Sequence, residues 1–534
     1  MVRVIYPHAV SRDMGSRPII NVHNPATLEK VGQAVSTLPE EVPGLVEKAR
    51  QAQSDWAIRP LAERTKILRQ VQSALVDRAD EMAELVSQET GKPFMESLAT
   101  DIMNAISVAD FAIGRVEHLF RESKVDLGKL SSPMRLLGRS SYLVPRPLGV
   151  IGLITPWNYP LAIPYSQAMM CLAAGNAVLI KPSSTTPLTA LRMRELMEES
   201  GSPPMLVQVA IGAGTEVGEA VASSTVDRII FTGHTEVGRR IMTLASQRLT
   251  PITLELGGKD AFIVMKDADL NRTAKAACWG SFVNCGQTCA AIKRIYVHRS
   301  ILDKFTALLV KEVRSLRQGY DINDPTISVG PMISERAVLD MEVQVSRAME
   351  QGAKVLVGGK RTEGLPGHFF EPTLLSIPTQ NMDIVRQETF GPIVAIMTFD
   401  TEEEAVRMAN DSAFALNGSV WTADLEQGRR LATTLKAGTV MVNNVAYTYG
   451  LGATPWGGRG ESGFGRTHGD MGFEELVERQ HLHVDKGKFS SEIWWPPYEK
   501  ENLEAMRDFT GLIFNGKRDR LLHRLLNVRR LMRR

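Results

Sequence analysis

Cysteine is scarce in this chain: Cys171, Cys278, Cys285 and Cys289 are all that 534 residues contain. Four clustered thiols cannot build a disulfide framework, so a reducing, cytoplasmic setting is expected. The Cys285-x-x-x-Cys289 pair lacks His or Cys companions at zinc-site spacing, and no metal is read from it. No apolar run reaches the length of about 18 residues that a membrane-spanning helix needs. Residues Met1 to Ser16 carry charges and Pro7 rather than an apolar export signal. Internal repeats and low-complexity tracts are also missing. With 43% hydrophobic and 23% charged residues and a net charge of +2, the composition is that of an ordinary globular chain able to bury large cores, and its length suits two or three domains. No nucleic-acid partner is expected.

What is present is a series of short motifs. Leu254-Glu255-Leu256-Gly257-Gly258-Lys259 offers a candidate general base. Phe282-Val283-Asn284-Cys285-Gly286-Gln287-Thr288-Cys289 offers a candidate thiol nucleophile among small residues that admit a substrate. A reactive thiol needs a polar, electropositive setting, because a free cysteine of pKa about 8.5 is only a few per cent thiolate at neutral pH. Taken alone, Cys289 reads more readily as a core cysteine. Upstream, the apolar run from Gly149 to Ile154 reads as a buried strand ending in Pro156-Trp157-Asn158-Tyr159-Pro160, where Asn158 by itself is an ordinary turn residue.

A second buried strand, Ala177 to Ile180, ends in Lys181, where an open parallel sheet presents residues to a nucleotide. A third, Arg228 to Phe231, runs into Thr232-Gly233-His234-Thr235-Glu236-Val237-Gly238. Gly233 permits a tight turn, and the helix start that follows offers unpaired amides to phosphate. This segment is not G-x-G-x-x-G, and by itself it is a common strand-to-helix turn. Gln387-Glu388-Thr389-Phe390-Gly391-Pro392, then Pro455-Trp456-Gly457-Gly458 and Glu461-Ser462-Gly463-Phe464-Gly465, complete the set.

Taken in chain order, these motifs resemble the active-site signatures of the aldehyde dehydrogenase superfamily, and the chain is identified as a member of its NAD(P)-dependent type. The resemblance implies Cys289 as nucleophile, Glu255 as the base that activates water, and Asn158 as an oxyanion donor. Glu255 marks the branch that releases a free acid rather than passing product to coenzyme A. For the cofactor, the resemblance implies Thr155, Trp157, Lys181, Ser184 and Gly214, then Gly233, His234 and Gly238 of the phosphate loop, with Leu256. Glu388 and Phe390 would hold the nicotinamide half. His234 stands where the family usually has serine. Ser184 stands where NAD-preferring members carry glutamate, so NADP is expected to be tolerated or preferred, a hydroxyl not repelling a 2′-phosphate.

The tunnel positions are Tyr159, Tyr447, Tyr449 and Trp456, mostly aromatic, which favours apolar aliphatic or aromatic aldehydes. The whole-chain look also resembles long bacterial succinate-semialdehyde dehydrogenase-like members, which would want an arginine such as Arg294 or Arg459 for the far carboxylate. An inactive, membrane-recruited scaffold is the alternative of another class. Joint retention of Cys289, Glu255, Asn158, Lys181 and Glu388 argues against it.

The implied fold class is α/β: a doubly wound parallel sheet for the cofactor (1–127 and 148–258), a second α/β catalytic domain (259–475), and a small β oligomerisation arm (128–147 and 476–490) that would make a homodimer or homotetramer. Amphipathic helices are expected at 62–78 and 80–89. The tail, 491–534, lies outside the resemblance. Residues 517–534 carry eight Lys or Arg and one Asp, and Leu521, Leu522, Leu525, Val528 and Met532 share an imperfect helical face. Such a helix suits either an anionic membrane surface or docking on the protein or a partner subunit. Trp494-Trp495-Pro496-Pro497-Tyr498 before it is expected to break secondary structure.

Overall fold

The computed structural model describes residues 17–514 except 489 and 493. The chain divides into two compact units, one formed by residues up to Val116 with Pro147–Leu476, the other by Glu117–Arg146 with the residues from Val477 onward.

In the first unit, Val150–Ile154, Ala177–Lys181, Val207–Val209, Arg228–Thr232 and Ile252–Glu255 form a parallel sheet in the order 252–228–150–177–207. Val150–Ile154 is buried along its whole length, as its unbroken apolar run requires of a central parallel strand. Because the strands are parallel and in register, their carboxyl ends share one edge. Ile154 pairs with Lys181 and Phe231, and Thr232 with Glu255. Thr155, Lys181, Gly233 and Glu255 therefore gather at one crevice, the usual ligand position of an open α/β sheet. Helices Leu61–Asp77 and Ala79–Thr90 lie at the expected places. Leu68, Val71 and Leu75 of the first make a buried stripe, one helical face turned to the core.

Seven strands make the second sheet, in the order Lys354–Val357, Thr373–Ser376, Ile393–Phe399, Ile292–His298, Asp260–Val264, Asn417–Trp421 and Thr439–Val442; all but the first run parallel to their neighbours. Its core includes Phe262 stacked on Trp421 with ring centroids 5.2 Å apart. A two-residue strand, Gly463–Phe464, then returns to the first sheet and pairs antiparallel with Ile252–Glu255, Gly463 opposite Glu255. Only glycine fits there: its φ is +102°, and a methyl carbon would stand 2.0 Å from the Leu254 carbonyl oxygen.

The second unit is built on a three-stranded sheet in which Arg139–Pro147 lies between Ser123–Lys124 and Val477–Asp485. Trp494–Tyr498 is irregular, and a helix not anticipated from the sequence, Lys500–Phe514, follows it. The basic segment 517–534 lies outside the described residues. Among the described residues, no helix is long and apolar enough to cross a membrane.

Candidate active site

Helix Leu270–Phe282 ends in a turn where Asn284 (φ 53°), Cys285 (φ 54°) and Gly286 (φ 67°) are all left-handed. Such a conformation costs a non-glycine residue roughly 1 kcal/mol or more and persists only where the surroundings impose it. Here Lys293 Nζ donates to the Gly286 and Gly391 carbonyls at 2.8 and 2.7 Å, and Gln287 Nε2 donates to the Asn284 and Pro331 carbonyls at 3.1 and 3.2 Å. The turn delivers Cys289 half-buried at the head of the Ile292–His298 strand; the other three cysteines are fully buried.

The motifs that carry Glu255 and Cys289 meet through Gly258, where a methyl carbon would stand 2.2 Å from the Cys289 carbonyl oxygen. Glu255 is 5% exposed, and neither of its carboxylate oxygens has a partner. Burial holds that carboxyl well above the usual range, with Arg466 pulling weakly the other way. Glu255 Oε1 rests against Gly457, where a methyl carbon would approach to 2.9 Å. The Pro455-Trp456-Gly457-Gly458 segment thus covers the carboxylate. Asn158 Nδ2 donates to the Gln287 carbonyl at 3.0 Å while its Oδ1 is unpartnered, and Tyr159 Oη meets Thr288 Oγ1 at 2.6 Å. Residues 158 and 159 are thereby zipped to the two residues before Cys289.

The electropositive setting expected for the thiol is not what the fold provides. Burial raises the Cys289 pKa, and the Asp260, Glu255 and Glu388 carboxylates raise it further.

Around the crevice, Lys181 is nearly buried and its ammonium pushed down to about 8 by burial. The Thr155 hydroxyl is buried without a partner, which leaves it available to a ligand. Ser184 is half-buried in the turn after Lys181, and Gly214 opens the turn Gly214–Gly218 with free space about it. His234 caps helix Thr235–Ser246, its Nδ1 accepting from the Glu236 amide at 3.3 Å. Gly238 admits Leu256, whose Cδ2 would stand 2.6 Å from a methyl carbon there. Glu388 Oε1 accepts from the Gly258 amide at 3.3 Å, and its Oε2 lies 4.0 Å from His234 Nε2. Trp157 and Phe390 meet edge to face with centroids 5.6 Å apart.

On the substrate side, Tyr449 lies between Trp456 and His468 with ring centroids 5.0 and 4.5 Å away. Cys289 and Tyr449 pack against Ala290, Leu416 and Trp456. Tyr447 is 47% exposed and stands outside that buried wall. Leu416 and His468 were not singled out in the sequence, and neither carries a local signal: one is a leucine before a strand, the other a histidine in a loop. Helix Met103–Leu119 was likewise missed as a support. Its Asn104 and Ser107 abut Gly450 and Gly452, where methyl carbons would stand 2.3 Å from Asn104 Oδ1 and 2.7 Å from the Ser107 carbonyl. Arg294 is buried and spent on the Lys259, Met408 and Ala409 carbonyls, at 2.7, 3.3 and 3.1 Å. Arg459 is exposed.

A parallel-sheet crevice beside a half-buried thiol, a bare buried carboxylate and an amide side chain is the arrangement of an α/β enzyme with a cysteine at its centre. The model of the aldehyde dehydrogenase family matches residues 12–482. The chain is 36% identical to aminoaldehyde dehydrogenase 1, peroxisomal, of Pisum sativum, over 90% of this chain and 95% of that one. It is 38% identical to betaine aldehyde dehydrogenase of Bacillus subtilis, over 87% and 94%. Among solved structures, betaine aldehyde dehydrogenase from Staphylococcus aureus in complex with NAD+ superposes with a TM-score of 0.84 at 34% identity, covering 90% of this chain and 94% of that one. The protein belongs to the aldehyde dehydrogenase family.

Proposed function

We propose that the protein oxidises an aldehyde to a carboxylic acid with NAD or NADP as acceptor, releasing the acid by hydrolysis. The observation that carries this is Glu255: a buried carboxylate with two unpartnered oxygens on the strand end beside Cys289. Leaving a buried carboxylate bare costs several kcal/mol unless water or a reacting group meets it. Thr155, Lys181, Ser184, Gly233, Gly238, Glu388 and Phe390 would hold the dinucleotide, and the unpartnered Thr155 hydroxyl and the nearly buried Lys181 ammonium suit its polar backbone. When bound, its nicotinamide ring accepts the hydride lost by the substrate.

The chain's own residues supply the rest. Cys289 Sγ, half-buried at the crevice, gives its proton to solvent and attacks the carbonyl carbon, forming the C–S bond of a thiohemiacetal whose oxyanion Asn158 Nδ2 stabilises. After oxidation the thioester carbonyl occupies the same place. Glu255 then takes a proton from water, the hydroxide adds to the thioester carbon, and the C–S bond breaks to return the thiol and free acid. In sum, one aldehyde, one water and one oxidised cofactor become a carboxylate, a reduced cofactor and two protons.

Tyr159, Tyr449 and Trp456 make an aromatic wall that favours apolar aliphatic or aromatic aldehydes. Succinate semialdehyde fits less well, because Arg294 is already bound to backbone carbonyls.

Stopped-flow reduction of cofactor by a medium-chain aldehyde tests the chemistry. Cys289→Ala should show neither burst nor turnover. Glu255→Gln should keep a burst of one reduced cofactor per site and lose steady turnover by roughly 10²-fold or more. A Glu255→Gln enzyme turning over like the parent would defeat the hydrolytic assignment. For the cofactor, Ser184→Glu should lower the NADP to NAD ratio of kcat/KM by about tenfold or more, since a carboxylate there repels the 2′-phosphate; an unchanged ratio would remove Ser184 from the selectivity argument.

A further inference from the structure

We infer that Lys92, Glu96 and Asp101 are positioning residues that lock the oxyanion donor Asn158 to the Cys289 turn through one circuit of hydrogen bonds completed by the backbone between residues 92 and 101. The inference rests on the roles given to Asn158 and Cys289 above.

Lys92 is 1% exposed. Its Nζ donates to Asp101 Oδ2 at 2.6 Å and to the Asn158 carbonyl at 3.0 Å, and lies 4.1 Å from the Tyr159 ring centroid. Asp101 Oδ1 accepts from the Leu161 and Ala162 amides at 3.2 and 3.1 Å, which fixes the start of helix Ala162–Ala173 just past the Asn158 loop. Glu96 accepts from the Asn284 amide at 3.0 Å, inside the left-handed turn. Asn284 Nδ2 closes the circuit, donating to the Asn158 carbonyl at 3.0 Å and to the Gln287 carbonyl at 3.2 Å. The Gln287 carbonyl is also the acceptor of Asn158 Nδ2.

The local backbone makes this reach attainable. Glu96 and Asp101 are five residues apart, and on an α-helix such residues diverge by about 140°. Residues Ser97–Ile102 form a π-helical turn instead. The wider turn brings both carboxylates to the same neighbourhood, as such bulges often do at functional sites.

The circuit acts on the parts that must not move. Two donors on one carbonyl fix the Asn158 peptide plane. One hydrogen of Asn158 Nδ2 is held by Gln287, which aims the other. Glu96 holds a turn whose backbone is strained and which carries the nucleophile. Displacing a reacting group by about 1 Å costs on the order of 10²-fold in rate. A stability role alone explains the arrangement poorly, because buried ion pairs are weak contributors to stability.

The test is a double-mutant cycle read by the burst rate. Glu96→Ala removes the acceptor for the Asn284 amide, whereas Glu96→Gln keeps a carbonyl oxygen there. Glu96→Ala should slow the burst roughly 10- to 100-fold, Glu96→Gln by less than about threefold, with KM for the cofactor unchanged in both. In an Asn158→Ala background, Glu96→Ala should add little, since no donor is left to aim. Equal slowing in both backgrounds, or equal slowing by both Glu96 variants, would overturn the circuit. Should Glu96→Ala not fold, Lys92→Met replaces it in the same cycle with the same expectation. If Asn158→Ala alone leaves the burst unchanged, it is the oxyanion assignment that fails.

Discussion

Burial first, and then the Asp260, Glu255 and Glu388 carboxylates, press the Cys289 thiol toward its protonated form. Glu255 is held well above the ordinary carboxylate range by burial, and it accepts a proton only when ionised. Turnover governed by it therefore falls as pH drops through that raised value, and this acid limb of kcat should vanish from the residual activity of Glu255→Gln. Asn158 contributes at the same scale. Asn158→Ala should lower kcat by about 10²–10³-fold with a smaller change in KM, the cost of one oxyanion donor. At the residue scale the sequence was most legible where a strand ends: Asn158, Lys181 and Glu255 end or follow strands of one parallel sheet, whereas Cys289 stands at the head of the Ile292–His298 strand of the other. Less legible were Glu96, Asp101 and His468. Glu96 reaches the Asn284 amide and Asp101 the Leu161 and Ala162 amides, 60 residues or more away in the chain, His468 is placed by packing, and no local pattern announces any of them.

At the scale of elements, helix Pro187–Glu199 shows how one segment completes another. Its residue Thr186 gives no side-chain cap. Instead Glu89, at the end of helix Ala79–Thr90, accepts from the Leu188 and Thr189 amides, both at 2.8 Å, and from Thr189 Oγ1 at 2.5 Å. Burial outweighs these bonds and raises the Glu89 carboxyl to about 7. With the folded pKa above the unfolded one, its contribution to stability is full below an unfolded value of about 4.5 and is lost as pH rises through 7. The slope of Tm against pH over that window should flatten in Glu89→Gln, and an unaltered slope would show that other groups set it. Strands were read correctly wherever an apolar run was unbroken, as at Val150–Ile154. Lys500–Phe514 escaped notice because the aromatic and proline-rich residues before it suggested an irregular tail. The π-helical turn at Ser97–Ile102 leaves no trace in helical periodicity.

For the whole molecule, the second unit presents Val477–Asp485 as an edge strand, with Leu482 43% and Val484 42% exposed. An edge strand with exposed apolar side chains is a ready surface for another chain. We propose that it is the oligomerisation arm of a homodimer or homotetramer. Replacing Leu482 and Val484 together by aspartate should shift the mass measured by light scattering to a smaller species, and an unmoved mass would place the interface elsewhere. Beyond it, Arg139 is nearly buried, donates to Asp485 and Glu492, and lies 5.4 Å from the Trp494 ring, so the segment after the strand is tied back within its own unit.

The sequence by itself determined the family and offered a thiol, a carboxylate and an amide as candidates for the site, because these depend on residue type and on short-range pattern. Only the tertiary structure decided the charge the thiol feels, the fate of Arg294, and the Lys92–Glu96–Asp101 circuit. Those depend on burial and on which distant groups are brought within a few ångströms, quantities that chain order does not encode locally.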